Sequence, residues 1–102
     1  MRHGLSIRAR LPRSVVYRTF AAETAVLNLE TGRYHGLDET GRRMLELLDA
    51  SPSVGRAAAA LAAESGRPRS EVEPSLLAFC AQLVARGLIE LQAEPAEHAA
   101  AS

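Results

Sequence analysis

Two short runs near the front of the chain, VVYRTF (15–20) and AVLNLE (25–30), are rich in β-branched and aromatic residues and are separated by AAET. Such segments suit strands. ETGR (30–33) follows, with Gly32 where a reversing chain needs a left-handed residue. The pattern predicts a hairpin whose last strand runs from about Arg33 to Leu37. Loops of two, three or four residues all fit, and changing the loop by one residue moves Tyr34 to the other face. That third strand, RYHGL, is brief, polar on one side and interrupted by Gly36.

From Asp38 the period changes to that of a helix. Asp38 is a good N-cap, and Met44, Leu45, Leu47 and Leu48 fall at helical spacing before Pro52. Ser53 caps a second, Ala-rich helix, VGRAAAALAAES, which Gly66 ends. After GRPR, Ser70 and Glu73 form a capping box at the head of a third helix, with Pro74 in its first turn. Gly87 stops that helix. LIEL (88–91) then reads either as a last short strand or as an extended strap.

The third helix carries more apolar residues than one buried face needs. Val72, Leu76, Phe79 and Leu83 make one stripe, and Leu77, Cys80 and Val84 make a second, displaced around the axis. Either the helix is central and buried on both sides, or one edge of this surface lines an open groove for a partner.

At 102 residues, with 47% apolar and 24% charged residues, the chain forms one globular domain. It divides into a basic, flexible segment over 1–13, an ordered domain over 14–91 and a disordered tail over 92–102. No apolar stretch approaches the ~20 residues of a membrane span, and the N-terminus lacks the apolar core of a secretion signal. One cysteine allows no internal disulfide, which agrees with a reducing cytoplasm. Residues 1–43 hold eight Arg against four acids, and residues 44–102 hold four Arg against eight. This asymmetry describes either two solvated surfaces of opposite bias or a basic half that meets an acidic partner.

Catalytic and metal chemistry find little support. His3, His35 and His98 lie far apart, without metal-ligand spacing. Cys80 sits among Leu, Phe and Val and reads as a small buried hydrophobe. His35 has no Asp or Ser at a suggestive spacing, and ETGRRM lacks the Lys and Ser or Thr of a phosphate loop. The expectation is a protein without catalytic activity, metal or cofactor.

Two binding modes remain. Strands followed by helix, helix, turn and helix make an α+β inventory: a winged helix-turn-helix with a three-stranded antiparallel sheet and three helices. Many such domains are DNA-binding regulators, with the third helix in the major groove. Here that helix begins with Glu71, Glu73 and Pro74, and carboxylates repel phosphates. The other mode is strand addition. The third strand is an edge with unpaired main-chain groups, to which an extended peptide can add, and Gly36 lets another backbone come close.

Two stretches, TGRYHGLDETG (31–41) and LVARGLIEL (83–91), together with the Ala-rich helix between them, resemble the PqqD-like family of peptide-recognition elements. The resemblance covers residues 14–91 and is closest to the free-standing leader-binding proteins of lasso-peptide clusters. It implies a winged-helix fold without activity of its own. Such proteins bind the leader of a ribosomally made precursor peptide beside strand three, in the groove against the third helix. Carried onto this sequence, one wall is Arg33, Tyr34, His35, Gly36 and Leu37. The other is Glu73, Leu76, Leu77, Cys80 and Val84. The partners implied are the precursor, a leader-cleaving cysteine protease and an ATP-dependent macrolactam cyclase, with no nucleic acid and no membrane.

Overall fold

A computed structural model describes residues 6–21 and 23–93; the expectations for His3, His98 and most of the tail lie outside them. The elements are β1 (Ile7–Arg10), β2 (Val15–Phe20), β3 (Glu23–Asn28), β4 (Tyr34–Leu37), α1 (Glu39–Ala50), α2 (Val54–Ser65), α3 (Arg69–Ala85) and β5 (Glu90–Ala93). Strands β2, β3 and β4 form an antiparallel meander in that order, and β1 pairs with β5 in a separate two-stranded sheet. The expected α+β meander and three helices are present. The strand at Ile7–Arg10, in the segment read as flexible, is an addition. It pairs with Glu90–Ala93, so only the second half of LIEL is strand, and the strand runs on into Gln92 and Ala93, which were expected to begin the tail.

The meander is shifted from its expected bounds. Glu23 and Thr24, read as a connection, pair with Phe20 and Thr19, and β3 ends at Asn28 rather than Glu30. Asn28 explains the early end. Its Oδ1 accepts from the Glu30 and Thr31 N–H groups at 2.9 and 3.3 Å, which diverts the chain into the turn. Its backbone N–H donates to the Arg33 carbonyl at 2.9 Å, and its carbonyl accepts from Gly32 at 2.8 Å. Residues 29–32 therefore form the loop, closed by Gly32 at φ 77°.

This closure sets the register. Leu27 lies opposite Tyr34, Val26 opposite His35 and Ala25 opposite Gly36. Val26 is fully buried, so Tyr17, His35 and Leu37 share the core face, whereas Val16, Leu27 and Tyr34 share the other.

The helices cover the core face. Asp38 Oδ1 accepts from the Gly41 N–H at 2.8 Å and Ser53 Oγ from the Arg56 N–H at 3.1 Å, as expected of N-caps. Gly66, at φ 73°, ends α2. The capping box on α3 does not form. Pro68 holds extended backbone and the helix begins at Arg69, so Ser70 and Glu73 are already inside it. Glu73 pairs instead with Arg69 at 2.9 Å. The early start also places Pro74 beyond the first turn, where its missing N–H leaves the Ser70 carbonyl without a helical donor.

Core packing rests on Val26, Leu45, Leu48, Val54, Leu76, Leu83 and Leu88, with Ala57 and Ala58 letting α2 approach closely. α2 packs on α3 and α1, and α1 packs on β1, β3 and β4. Arg43 joins α1 to α2 through a two-pronged bond to Glu64, at 2.7 and 2.9 Å. Hydrogen bonds from Arg43 hold the Glu64 and Glu46 carboxyls below their ordinary range.

α3 closes with a Schellman turn. The Leu88 N–H reaches the Leu83 carbonyl at 2.9 Å and the Gly87 N–H reaches Val84 at 2.9 Å, with Gly87 at φ 73°. This turn folds Leu88 and Ile89 back into the core. Asn28 Nδ2 donates to the Gly87 carbonyl at 3.3 Å and ties the hairpin to the end of α3.

Candidate functional site: an open strand edge beside the third helix

Among the described residues, no strand pairs with the outer edge of β4. The hydrogen-bond phase shows which groups that edge offers. The Arg33 carbonyl accepts from the Asn28 N–H, so by antiparallel alternation His35 and Leu37 also point their main-chain groups at β3. The N–H and C=O groups of Tyr34 and Gly36 point the other way, into the open edge.

Gly36 is not at a left-handed φ, and a Cβ built on it meets nothing within 4 Å. Among the described residues, the space beside it is open.

Two hollows flank α3. One, of about 300 Å³, lies between the hairpin and the end of α3 and is lined by Gly32, Arg33, Tyr34, His35, Arg86 and Leu88. The larger, of about 610 Å³, lies where α1 begins, α2 ends and α3 begins; Thr40, Met44, Leu61, Val72 and Ser75 are among its lining residues. The Arg43–Glu64 pair stands on its rim, and no residue of β4 lines it.

Ser75, Phe79, Gln82 and Arg86 recur at helical spacing on one flank of α3, with Ser75 in the larger hollow and Arg86 in the smaller. Phe79 packs half-buried against the core between them. Both hollows therefore lie on this flank of α3, the smaller beside β4 and the larger beside the start of α1, and together they are called the trough.

The expected wall residues divide accordingly. Arg33, Tyr34 and Gly36 are exposed, with Tyr34 at 73%, and His35 is half-buried on the trough side. Leu37, expected on the same wall, is core. On α3, Leu76 and Cys80 are core residues, 0% and 2% exposed, rather than groove residues. Val72, Leu76, Cys80 and Leu83 form the buried stripe, so Cys80 replaces Phe79 in it. Burial raises the Cys80 thiol to about 11, which keeps it neutral and unreactive near pH 7.

Leu77 and Val84 are 38% and 41% exposed, but they line neither hollow and lie on the opposite flank of α3 from Ser75 and Arg86. Glu73 is on that flank too and is held by Arg69. The hollow-lining residues that sequence reasoning missed include Arg86 and Leu88, and Phe79, which lines neither hollow, lies on the same flank. Phe79 had been assigned to the core stripe, and Leu88 enters the site only because the Schellman turn brings it back.

Elsewhere, Tyr17 donates to Asp49 Oδ2 at 3.3 Å. Burial, then the Asp49 charge, raises its phenol above the ordinary value. Among the described residues no cluster of His, Cys, Asp or Glu could hold a metal ion, and no helix is long and apolar enough to cross a membrane.

A small winged-helix domain with a free strand edge facing a helix-walled trough is the architecture of a peptide-recognition module. The family model for coenzyme PQQ synthesis protein D (PqqD) matches residues 23–89, and this chain belongs to the PqqD-like family.

A solved structure described as TbiB1 in complex with the TbiA(beta) leader peptide is similar, with 32% identity and a TM-score of 0.70. The match covers 79% of this chain and 94% of that one. A lasso peptide synthetase B1 complexed with the leader peptide shares the fold at 21% identity and a TM-score of 0.70, over 81% of this chain and 98% of that one. No curated protein matches the chain.

Proposed function

We propose that this protein binds the leader segment of a ribosomally made precursor peptide as an added strand on β4. In this role it carries no chemistry of its own and acts in the cytoplasm. It delivers the precursor to tailoring enzymes of lasso-peptide type, a leader-cleaving cysteine protease and an ATP-dependent macrolactam cyclase.

The observation that carries this reading is the unpaired Tyr34 and Gly36 main-chain groups beside the trough. The leader complexes formed by similar proteins support it. Two N–H and two C=O groups supply main-chain bonds worth about 1 kcal/mol each net. One or two apolar side chains of the leader, buried against Phe79, Met44 and Leu88, add roughly 1.5–3 kcal/mol each. These terms sum to about 5.5–10 kcal/mol before the cost of ordering the peptide, so the dissociation constant is on the order of micromolar or weaker once that cost is counted. Because the guest alternates, the residues that reach the trough are those opposite Arg33, His35 and Leu37.

The test is titration with a synthetic leader from the neighbouring precursor gene, with random duplex DNA as control. Sequence-dependent binding with amide shifts at residues 33–37 is the expected result. Salt-sensitive DNA binding with no response to the peptide would overturn the proposal in favour of a DNA-binding regulator.

A further inference from the structure

The smaller hollow is cationic around an apolar floor. Arg33, just before β4, and His35 of β4 line one side, Arg86, the C-cap of α3, lines the other, and the buried Leu88 forms the floor. Among the described residues, no carboxylate lines it. Arg42, Arg43 and Arg69 are held by Glu39, Glu46, Glu64 or Glu73, whereas Arg33 and Arg86 make no ion pair among the described residues. The acids nearest along the chain, Glu30 and Glu90, line a separate cleft with Pro12, Arg13 and Ser14. The basic excess of the first half of the chain thus has a local expression beside the open edge.

From this geometry we infer that the hollow is a subsite for a carboxylate side chain of the bound peptide. The inference rests on the strand-addition reading and specifies the chemistry its guest carries. Two guanidinium groups offer forked N–H donors that match a carboxylate, and the His35 ring adds a further polar group. The apolar floor excludes water from below, which strengthens the attraction relative to an open surface.

Register places the acid. A guest residue bonded to the outward groups of Tyr34 turns its own side chain to the outer face, with Tyr34. The guest residues on either side of it turn inward, opposite Arg33 and His35. The acidic residue is therefore one position away from the residue that pairs with Tyr34.

Selection from a random peptide display library tests this directly, on the unaltered protein and on the double variant Arg33→Glu/Arg86→Glu. Thermal unfolding of the variant serves as the check that it folds, since both positions are exposed. The unaltered protein should select Asp or Glu at one fixed position, and the variant should select Lys or Arg there. Replacing the selected Glu by Gln in a synthetic copy should weaken binding about two- to fivefold per arginine engaged, and less at high salt.

Should the double variant not fold, Arg33→Gln and Arg86→Gln singly take its place, each expected to lose part of the Glu-to-Gln difference. Selected peptides with no charge preference at any position would overturn the carboxylate subsite and leave strand addition standing. Selection of no peptides would overturn both.

Discussion

Gly36→Pro separates the open edge of β4 from the rest of the fold. The Arg33 carbonyl takes the Asn28 N–H at 2.9 Å, so alternation leaves the Gly36 N–H outside the β3–β4 ladder. Proline there removes no internal hydrogen bond, and edge strands tolerate it where the N–H faces away from the sheet. Position 36 is not at a left-handed φ, His35 before it is already extended, and a Cβ meets nothing within 4 Å. Stability should therefore change by no more than about 1 kcal/mol, a shift in melting temperature of about 4–8 °C for a domain this size. The guest, however, loses a donor. One main-chain bond is worth about 1 kcal/mol net, and a guest carbonyl left buried without a partner raises the loss to about 3 kcal/mol. Leader affinity should fall between about fivefold and a hundredfold. Gly36→Ala, which keeps the N–H, is the control. Isothermal titration of both variants with the leader peptide reads the difference. Equal affinity for the proline and alanine variants would refute the edge as the binding element, and unfolding of the proline variant would show that the Gly36 N–H belongs to the internal ladder.

Other outcomes follow from the same coordinates. Phe79→Ala should weaken leader binding by about tenfold through loss of apolar contact, whereas Leu77→Asp, on the other flank of α3, should change it by less than about twofold; fluorescence anisotropy with a labelled leader reads both, and the reverse order would move the guest to the opposite flank. Asn28→Ala removes the turn bonds to Glu30 and Thr31 and the tie to Gly87, and denaturant unfolding should show a loss of about 1–3 kcal/mol. Cys80 should resist thiol reagents in the native state and react on unfolding. Its folded value of about 11 lies above the ordinary 9.0, so the unfolded chain releases the proton first. The native advantage is whole below pH 9 and is lost as pH rises through about 11, by about 3 kcal/mol at most. The gap between urea midpoints for the unaltered protein and Cys80→Ala should narrow across that range, and parallel curves would argue against a desolvated thiol.

Much of the architecture is legible without coordinates because local chemistry writes it. Asp38, Ser53 and Gly66 mark helix ends by hydrogen bonding and backbone freedom of their own. Branched and aromatic residues mark β2 and β3, and Gly32 marks the turn between β3 and β4. The family resemblance rests on such local stretches, and the match over residues 23–89 falls on the same region. A capping box that looked equally local did not form, because Pro68 started α3 one residue before Ser70.

The site was less legible. The sequence by itself determined that β4 would be short and would end a meander, and that α3 would be apolar on more than one side. Only the tertiary structure decided which flank of α3 carries the two hollows. Apolar residues lie around the axis of that helix, so period alone cannot separate Phe79 from Cys80 or favour Leu77 over Arg86. α2, packed on α3, and β4, leading into α1, select the flank that carries Ser75, Phe79 and Arg86. The hairpin register was likewise open until Asn28 closed the loop on Arg33, and with it the choice of Tyr34 and Gly36 as the groups left unpaired. Side-chain preference acts within a few residues of the chain, whereas a groove is made by surfaces distant in sequence, and packing alone brings those together.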